Sequence, residues 1–120
     1  MQINDYQTWT RTPAIYPGAG EHGFNEALYL TLGLTSESGE VAGKVKKIIR
    51  GDQVDPESLV SEMSYVLLYL ARLCDNLGFT VEDLADYNHQ KLEKRKETNT
   101  IKGDGDKREE NASKIITPNS

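Results

Sequence analysis

Residues 55–78 read DPESLVSEMSYVLLYLARLCDNLG and carry the start, body and stop signals of one long helix. Asp55 is a typical N-cap residue, Pro56 suits the first helical position, and Gly78 supplies the stop. From residue 60 to 74, apolar side chains occupy nearly every face of this helix. Such a helix needs burial all round, which four helices in a single layer can hardly give. We therefore expect a second subunit against one face, with a central helix in a compact monomer as the alternative.

Three further helices are predicted and strand signals are nearly absent, so the fold class is all-α, a helical bundle of about four helices. A short first helix covers about residues 5–10. The longest starts near residues 24–27 and ends at about Arg50, because Gly51 is a C-terminal stop signal. The fourth begins at Thr80, with an acidic residue three positions on as in a capping box, and continues to about residue 96.

The last part of the chain differs from the rest in composition. From Thr98 it is polar and charged, with only three isoleucines as large apolar residues. A segment of this kind cannot bury enough apolar surface to order itself alone. The sequence therefore predicts a helical domain over residues 1–97 and a flexible tail over residues 98–120.

Composition also limits the classes of function. The formal charge of -5 disfavours nucleic acid as a partner, because that affinity comes mainly from Lys and Arg at the phosphates. The single Cys74 excludes an intramolecular disulfide and offers no zinc cluster. Neither a signal peptide nor a run of ~18 apolar residues is present, so we expect a cytoplasmic protein with no membrane partner.

Three carboxylates interrupt the apolar pattern. Glu37 occupies a place on the apolar stripe of the longest helix, between Leu34 and Val41. Glu40 follows three residues later, so the two side chains can reach one point, with Cβ atoms roughly 5–6 Å apart. Glu62 lies at the margin of the matching stripe on the third helix. The common interpretation of such acids is a solvated face, but core-facing acids need a cation, a proton or a metal ion. No Lys or Arg lies within four residues before Glu37, so a site for Mg²⁺ or Mn²⁺ is predicted.

The fourth helix carries polar residues on a face that begins as core. Asn88, Lys91 and Arg95 follow one another at steps of three and four. Lys offers a point charge and Arg a planar fork for phosphate oxygens, so this face could bind phosphate. Basic residues in the last turn of a helix are also common without any ligand, because they interact favourably with the helix dipole.

Together these segments resemble the all-α nucleoside triphosphate pyrophosphohydrolases of the MazG type. Residues 33–42, GLTSESGEVA, resemble the first acidic motif of that family, EExxE, with Ser36 at its first position. Residues 62–71, EMSYVLLYLA, resemble the second motif, ExxD, with Tyr65 at the position of Asp. Downstream residues resemble the phage and bacterial MazG-like branch: Asn88, Lys91, Leu92, Arg95, Gly103, Gly105, Asp106 and Arg108.

The resemblance implies hydrolysis of a nucleoside or deoxynucleoside triphosphate between the α and β phosphates, giving a monophosphate and pyrophosphate. It implies that Glu37, Glu40 and Glu62 are the catalytic and metal-binding residues, with Mg²⁺ as cofactor and Mn²⁺ as a possible substitute. It further implies substrate contacts from Asn88, Lys91 and Arg95, and from a tail segment with Asp106 and Arg108 that folds over bound nucleotide. The last expected partner is a second copy of the chain, in a dimer or tetramer.

Tyr65 keeps a second hypothesis open. A phenol with a pKa near 10 is a poor Mg²⁺ ligand at neutral pH. The chain could therefore be a degenerate MazG-like protein that binds nucleotide or a protein partner with little or no turnover. A third interpretation, a plain helical dimerisation module, is disfavoured by the acids on the apolar stripe.

Overall fold

The computed structural model describes residues 1–99, and within them the chain forms helices and no strand, which confirms the all-α prediction. The tail predicted from residue 98 lies almost entirely outside the described residues. No helix among residues 1–99 combines the length and the apolar character that crossing a membrane requires. The four helices are α1 (Ile3–Trp9), α2 (Phe24–Ile49), α3 (Pro56–Leu77) and α4 (Val81–Glu97).

The helix ends follow the local signals of the sequence. The Asp55 side chain accepts a hydrogen bond from the backbone N–H of Glu57 at 3.0 Å, which caps α3. Gly78 ends α3 in the left-handed conformation, with a φ of 81°. Thr80 and Asp83 form the reciprocal bonds of a capping box at the start of α4, both 2.9 Å long. Each predicted boundary lies within a few residues of the observed one.

The pair α2 and α3 is the main packing unit, and one close approach fixes how they meet. The ring of Tyr69 on α3 lies directly against Gly33 on α2, where a Cβ atom would fall 2.2 Å from the ring. A glycine inside a helix costs about 1 kcal/mol relative to Ala, so this contact explains why α2 carries one here. Gly39 and Gly43, the other glycines inside α2, face open space in the single chain.

A second set of contacts, all polar, ties the connection between α1 and α2 to the helix pair. Glu26, which is 1% exposed, accepts hydrogen bonds from Tyr16 Oη at 2.7 Å, from the Gly20 N–H at 2.6 Å, from the His22 N–H at 3.1 Å and from Asn76 Nδ2 at 2.9 Å. Burial alone would raise the pKa of Glu26, but these hydrogen bonds outweigh it and hold that pKa below its ordinary value. These hydrogen bonds therefore hold the loop before α2 in one place against the helix pair.

An ion-pair cluster continues this polar layer. Asp75 accepts from Arg72 Nη1 at 2.9 Å and from Arg11 Nη2 at 2.8 Å. The pKa of Asp75 is accordingly lowered, because the two guanidinium groups outweigh the effect of burial. Arg72 is only 3% exposed and also lies 3.9 Å from Glu26. It is the cation that the two buried carboxylates share.

The apolar core of one subunit is small. Only four hydrophobic side chains are buried in the described chain, although α2 and α3 together span more than forty residues. Many large apolar side chains on these helices are instead exposed, among them Leu32, Ile48, Ile49, Val60 and Met63. The stripe predicted to lie in the core is therefore only partly covered by the chain itself.

Candidate functional site

Glu37 and Glu62 meet across the contact between α2 and α3, as the sequence predicted. Both side chains are partly buried, whereas Glu40, nearly one turn further along α2, is exposed. Burial, the charge of Glu62 together with a hydrogen bond shared with it, and the charge of Glu40 raise the pKa of Glu37 above its ordinary value. Like charges brought together in this way are destabilising until a proton or a cation intervenes.

Lys44 supplies such a cation, and sequence reasoning missed it. Its Nζ lies 3.1 Å from Glu62 Oε1, and it donates to Ser58 Oγ at 2.6 Å and to the Ser58 carbonyl oxygen at 3.2 Å. The four residues before Glu37 contain no Lys or Arg, and the cation comes from further along α2. Lys44 follows Glu40 by four positions and Glu37 by seven, which puts all three on one face of α2. That spacing was the available signal.

The fit of a metal ion to these residues can be judged from their arrangement. No group of three or more His, Cys, Asp or Glu side chains within residues 1–99 is placed to hold a metal ion. The donor chemistry does fit a hard cation, since Glu37 and Glu62 are in contact and Glu40 acts on the same point through its charge. The chain thus brings together a pair of carboxyl groups, and Glu40 acts on this pair through its charge.

Tyr65 lies on α3 one turn after Glu62, and half of its side chain is exposed. It brings neither a negative charge nor a carboxylate oxygen to the site. The position of the Asp in the second MazG motif, ExxD, is therefore filled by a phenol at the surface of the single chain.

A cavity of about 360 Å³ lies between the segment before α2 and the pair α2 and α3; Glu37 and Glu62 are not among its lining residues. Tyr16 and Tyr29 stack at its wall, with ring centroids 4.9 Å apart and planes within 13°. Tyr69 lines the cavity and also interacts with Glu37. Burial, Tyr29 and the charge of Glu37 all raise the pKa of Tyr69. Sequence reasoning left these aromatic residues unassigned, because they come from three separate parts of the chain. The lining includes Thr10, Ile15, Tyr16, Tyr29, Leu68 and Tyr69.

The predicted phosphate-binding residues lie on α4, with Asn88 exposed and Lys91 and Arg95 partly buried. In the described chain α4 packs against α1 and α3, and no close backbone approach joins it to α2. The packing of α4 in one chain therefore does not bring its backbone close to the helix that carries Glu37 and Glu40. Asp106 and Arg108 lie outside the described residues.

Comparisons with known proteins agree with the resemblance seen in the motifs. The family model of the MazG nucleotide pyrophosphohydrolase domain matches residues 25–100, which hold α2, α3 and α4. The gene 37 protein of Mycobacterium phage L5 is 39% identical over 114 residues, an alignment that covers 90% of this chain and 100% of the phage protein. No solved structure matches the chain.

Proposed function

The chain belongs to the MazG nucleotide pyrophosphohydrolase family, and from this we propose that it hydrolyses nucleoside or deoxynucleoside triphosphates to a monophosphate and pyrophosphate with a divalent metal ion. The observation that carries the proposal is the contact of Glu37 with Glu62 across two helices, which raises the pKa of Glu37. Carboxyl groups forced together in this way are typical of a functional site, because a fold gains no stability from them.

We assign Glu37, Glu40 and Glu62 to the metal ion, with Mg²⁺ as the expected ion and Mn²⁺ as a substitute. When bound, such an ion neutralises phosphate charge and lowers the pKa of a water molecule. One of these carboxylates would accept a proton from the attacking water as a general base. Glu62 and Glu40 supply the negative charge that attracts the cation.

The aromatic cavity is assigned to the nucleoside part of the substrate. Stacked rings such as Tyr16 and Tyr29 offer a flat apolar surface to a base. Tyr69 reaches from the cavity towards Glu37 and so links the base side to the phosphate side. A nucleoside in the cavity with its phosphates on the Tyr69 side would direct them towards Glu37.

On the phosphate side, we keep the assignment of Asn88, Lys91 and Arg95, and of Asp106 and Arg108 beyond the described residues. Cations in this role would stabilise the charge that develops on the phosphates. Since α4 makes no close approach to α2 in one chain, these residues would reach the acids from a second subunit or through a shift of α4.

Self-association is part of the proposal, with a second copy of this chain as the partner. Exposed apolar side chains on α2 and α3 are too numerous for a stable single subunit, because large exposed apolar patches mark interaction surfaces. Ile49 is 85% exposed, Leu32 63% and Val60 62%. We expect sedimentation to show a dimer or tetramer at micromolar concentration, and a monomer across that range would contradict this part of the proposal.

A binding protein without turnover is the second candidate, and Tyr65 is the observation that favours it. The phenol replaces a carboxylate of the family motif and leaves the site with fewer metal-ligand oxygens. Mg²⁺ retains water molecules in most protein sites, so a missing ligand can be replaced by water. Reduced activity is thus the expected consequence of Tyr65, and complete loss is the prediction of the second candidate.

The deciding experiment is chromatography of a mixed panel of ribonucleoside and deoxynucleoside triphosphates after incubation with Mg²⁺ or Mn²⁺. Wild type is run beside Glu37→Gln and Tyr65→Asp, with Glu93→Gln as a matched control on the exposed surface of α4. Pyrophosphate from wild type and the control, but not from Glu37→Gln, would establish the enzyme. Turnover only in Tyr65→Asp would show a site disabled at position 65, as the second candidate predicts. The hydrolase assignment is lost if every variant is inactive.

A further inference from the structure

We propose that Lys44 is the resident counter-ion of the acidic site, competes with the divalent metal ion for Glu62, and becomes available to the triphosphate once that ion displaces it. The inference rests on the proposed function, since it concerns the same site. It adds a residue that no motif of the family comparison assigns.

The position of Lys44 supports the first part of the inference. Its ammonium group has three N–H donors, and three acceptors surround it: Glu62 Oε1, Ser58 Oγ and the Ser58 carbonyl oxygen. Only 24% of the Lys44 side chain and 21% of the Glu62 side chain are exposed. Lys44 therefore bridges α2 and α3 at a defined place, unlike a surface lysine that moves freely in solvent.

Electrostatic repulsion explains why Lys44 in this position opposes the binding of a metal ion. A carboxylate oxygen that accepts from an ammonium group has less negative charge to offer to a second cation, and two cations on one carboxylate repel each other. The metal ion must therefore break the bond between Lys44 and Glu62 or bind beside a like charge. In either case Lys44 weakens metal binding in the absence of substrate.

The same displacement favours substrate. A partly buried ammonium group that loses its carboxylate needs another anion, because an unpaired buried charge is costly. Phosphate oxygens are suitable acceptors for lysine. Lys44 would thus make metal ion and triphosphate favour each other's binding, with the free site held closed by its own cation.

The test measures two quantities that the proposal moves in opposite directions. Lys44→Met keeps the length of the side chain and removes the charge. The variant should bind Mn²⁺ roughly tenfold more tightly in the absence of substrate. This binding is measured by electron paramagnetic resonance, from the loss of the signal of free Mn²⁺. KM for the triphosphate at saturating metal should rise by about tenfold, while kcat changes less. A variant that merely loosened the helix pair would weaken both interactions.

Three further variants serve as controls. Lys44→Arg keeps the charge and should leave Mn²⁺ affinity near that of wild type. Lys46→Met removes an equal charge from an exposed position on the same helix, so it reports any general electrostatic effect. Lys44→Gln provides a second neutral variant with a different shape, and thermal unfolding of each protein verifies that it is folded.

Tighter Mn²⁺ binding in both neutral variants of Lys44, but not in Lys46→Met, would support the inference. Unchanged or weaker Mn²⁺ binding in folded Lys44→Met and Lys44→Gln would overturn it, and so would an equal gain in Lys46→Met. These results leave the proposed function intact if wild type binds Mn²⁺ and releases pyrophosphate. Absence of Mn²⁺ binding in all variants would instead refute the metal site itself, and the role of Lys44 with it.

Discussion

Three glycines of α2 offer an internal comparison, because the same substitution meets a ring at one position and open space at the others. A Cβ atom at Gly33 would lie 2.2 Å from Tyr69 Cε1 and 2.5 Å from Cδ1, whereas nothing lies within 4 Å of one at Gly39 or Gly43. Gly33→Ala therefore requires the Tyr69 ring to move out of its place between the helices.

The expected magnitudes follow from two opposing effects. Ala is favoured over Gly inside a helix by about 1 kcal/mol, which is the gain expected for Gly39→Ala and Gly43→Ala. At Gly33 the same gain is opposed by overpacking, which typically costs about 1–3 kcal/mol. The free energy of unfolding of Gly33→Ala should thus fall below that of Gly39→Ala by about 1–3 kcal/mol.

Urea unfolding followed by circular dichroism measures these differences, and a double-mutant cycle identifies their cause. In the background of Tyr69→Ala the ring is gone, so Gly33→Ala should become stabilising like the other two substitutions. The coupling between positions 33 and 69 should be about 1–3 kcal/mol. Equal stabilisation by Ala at all three positions, or additive effects of Gly33→Ala and Tyr69→Ala, would refute the close packing of the ring on α2.

Further expectations concern the polar layer and the caps. Glu26 and Asp75 have pKa values that are lowered in the folded chain, so the stability they contribute is complete above the pKa of the unfolded chain and is lost as the pH falls through the folded-state pKa. Urea unfolding between pH 7 and pH 3 should show this loss. Glu26→Gln should make the free energy of unfolding depend less steeply on pH. Arg72→Met should lower the free energy of unfolding by about 3–5 kcal/mol, because Glu26 loses its cation and Asp75 keeps only Arg11. Arg50→Met, in an exposed pair, should change the free energy of unfolding by less than about 1 kcal/mol, and similar effects of the two substitutions would contradict the burial of Arg72. Asp55→Ala should cost about 1 kcal/mol by removing the cap of α3, and an unchanged midpoint of thermal unfolding would argue against that cap.

The helices and their ends could be predicted because their signals are local. Asp55 caps the N–H of a residue two positions later, and the bonds of the capping box join Thr80 to Asp83. Such contacts depend on spacing alone, which the sequence states directly. The meeting of Glu37 with Glu62 was predictable for a related reason, since Glu37 interrupts one apolar stripe, Glu62 borders the other, and the two stripes pack face to face.

Residues whose partners are far away in sequence could not be predicted in the same way. Glu26 accepts from Asn76, fifty positions further on, and Asp75 binds Arg11 across sixty-four. In the sequence these are ordinary charged residues among many. A glycine inside a helix is costly, but only the ring of Tyr69 shows why one is required at position 33.

The total charge of the acidic site relates the role of Lys44 to that of Tyr65. With a carboxylate at position 65 the cluster would hold four acids, a charge suited to more than one divalent cation. In the proposed metal site three acids remain and Lys44 offsets one of them, so the residual charge is what a single divalent cation neutralises. On this basis, Tyr65→Asp should restore strong metal binding even with Lys44 in place. Lys44→Met with native Tyr65 should gain metal affinity but lose substrate affinity. If the two substitutions instead gave the same kinetic profile, only the total charge of the site would matter, and the separate role of Lys44 towards the phosphates would be excluded.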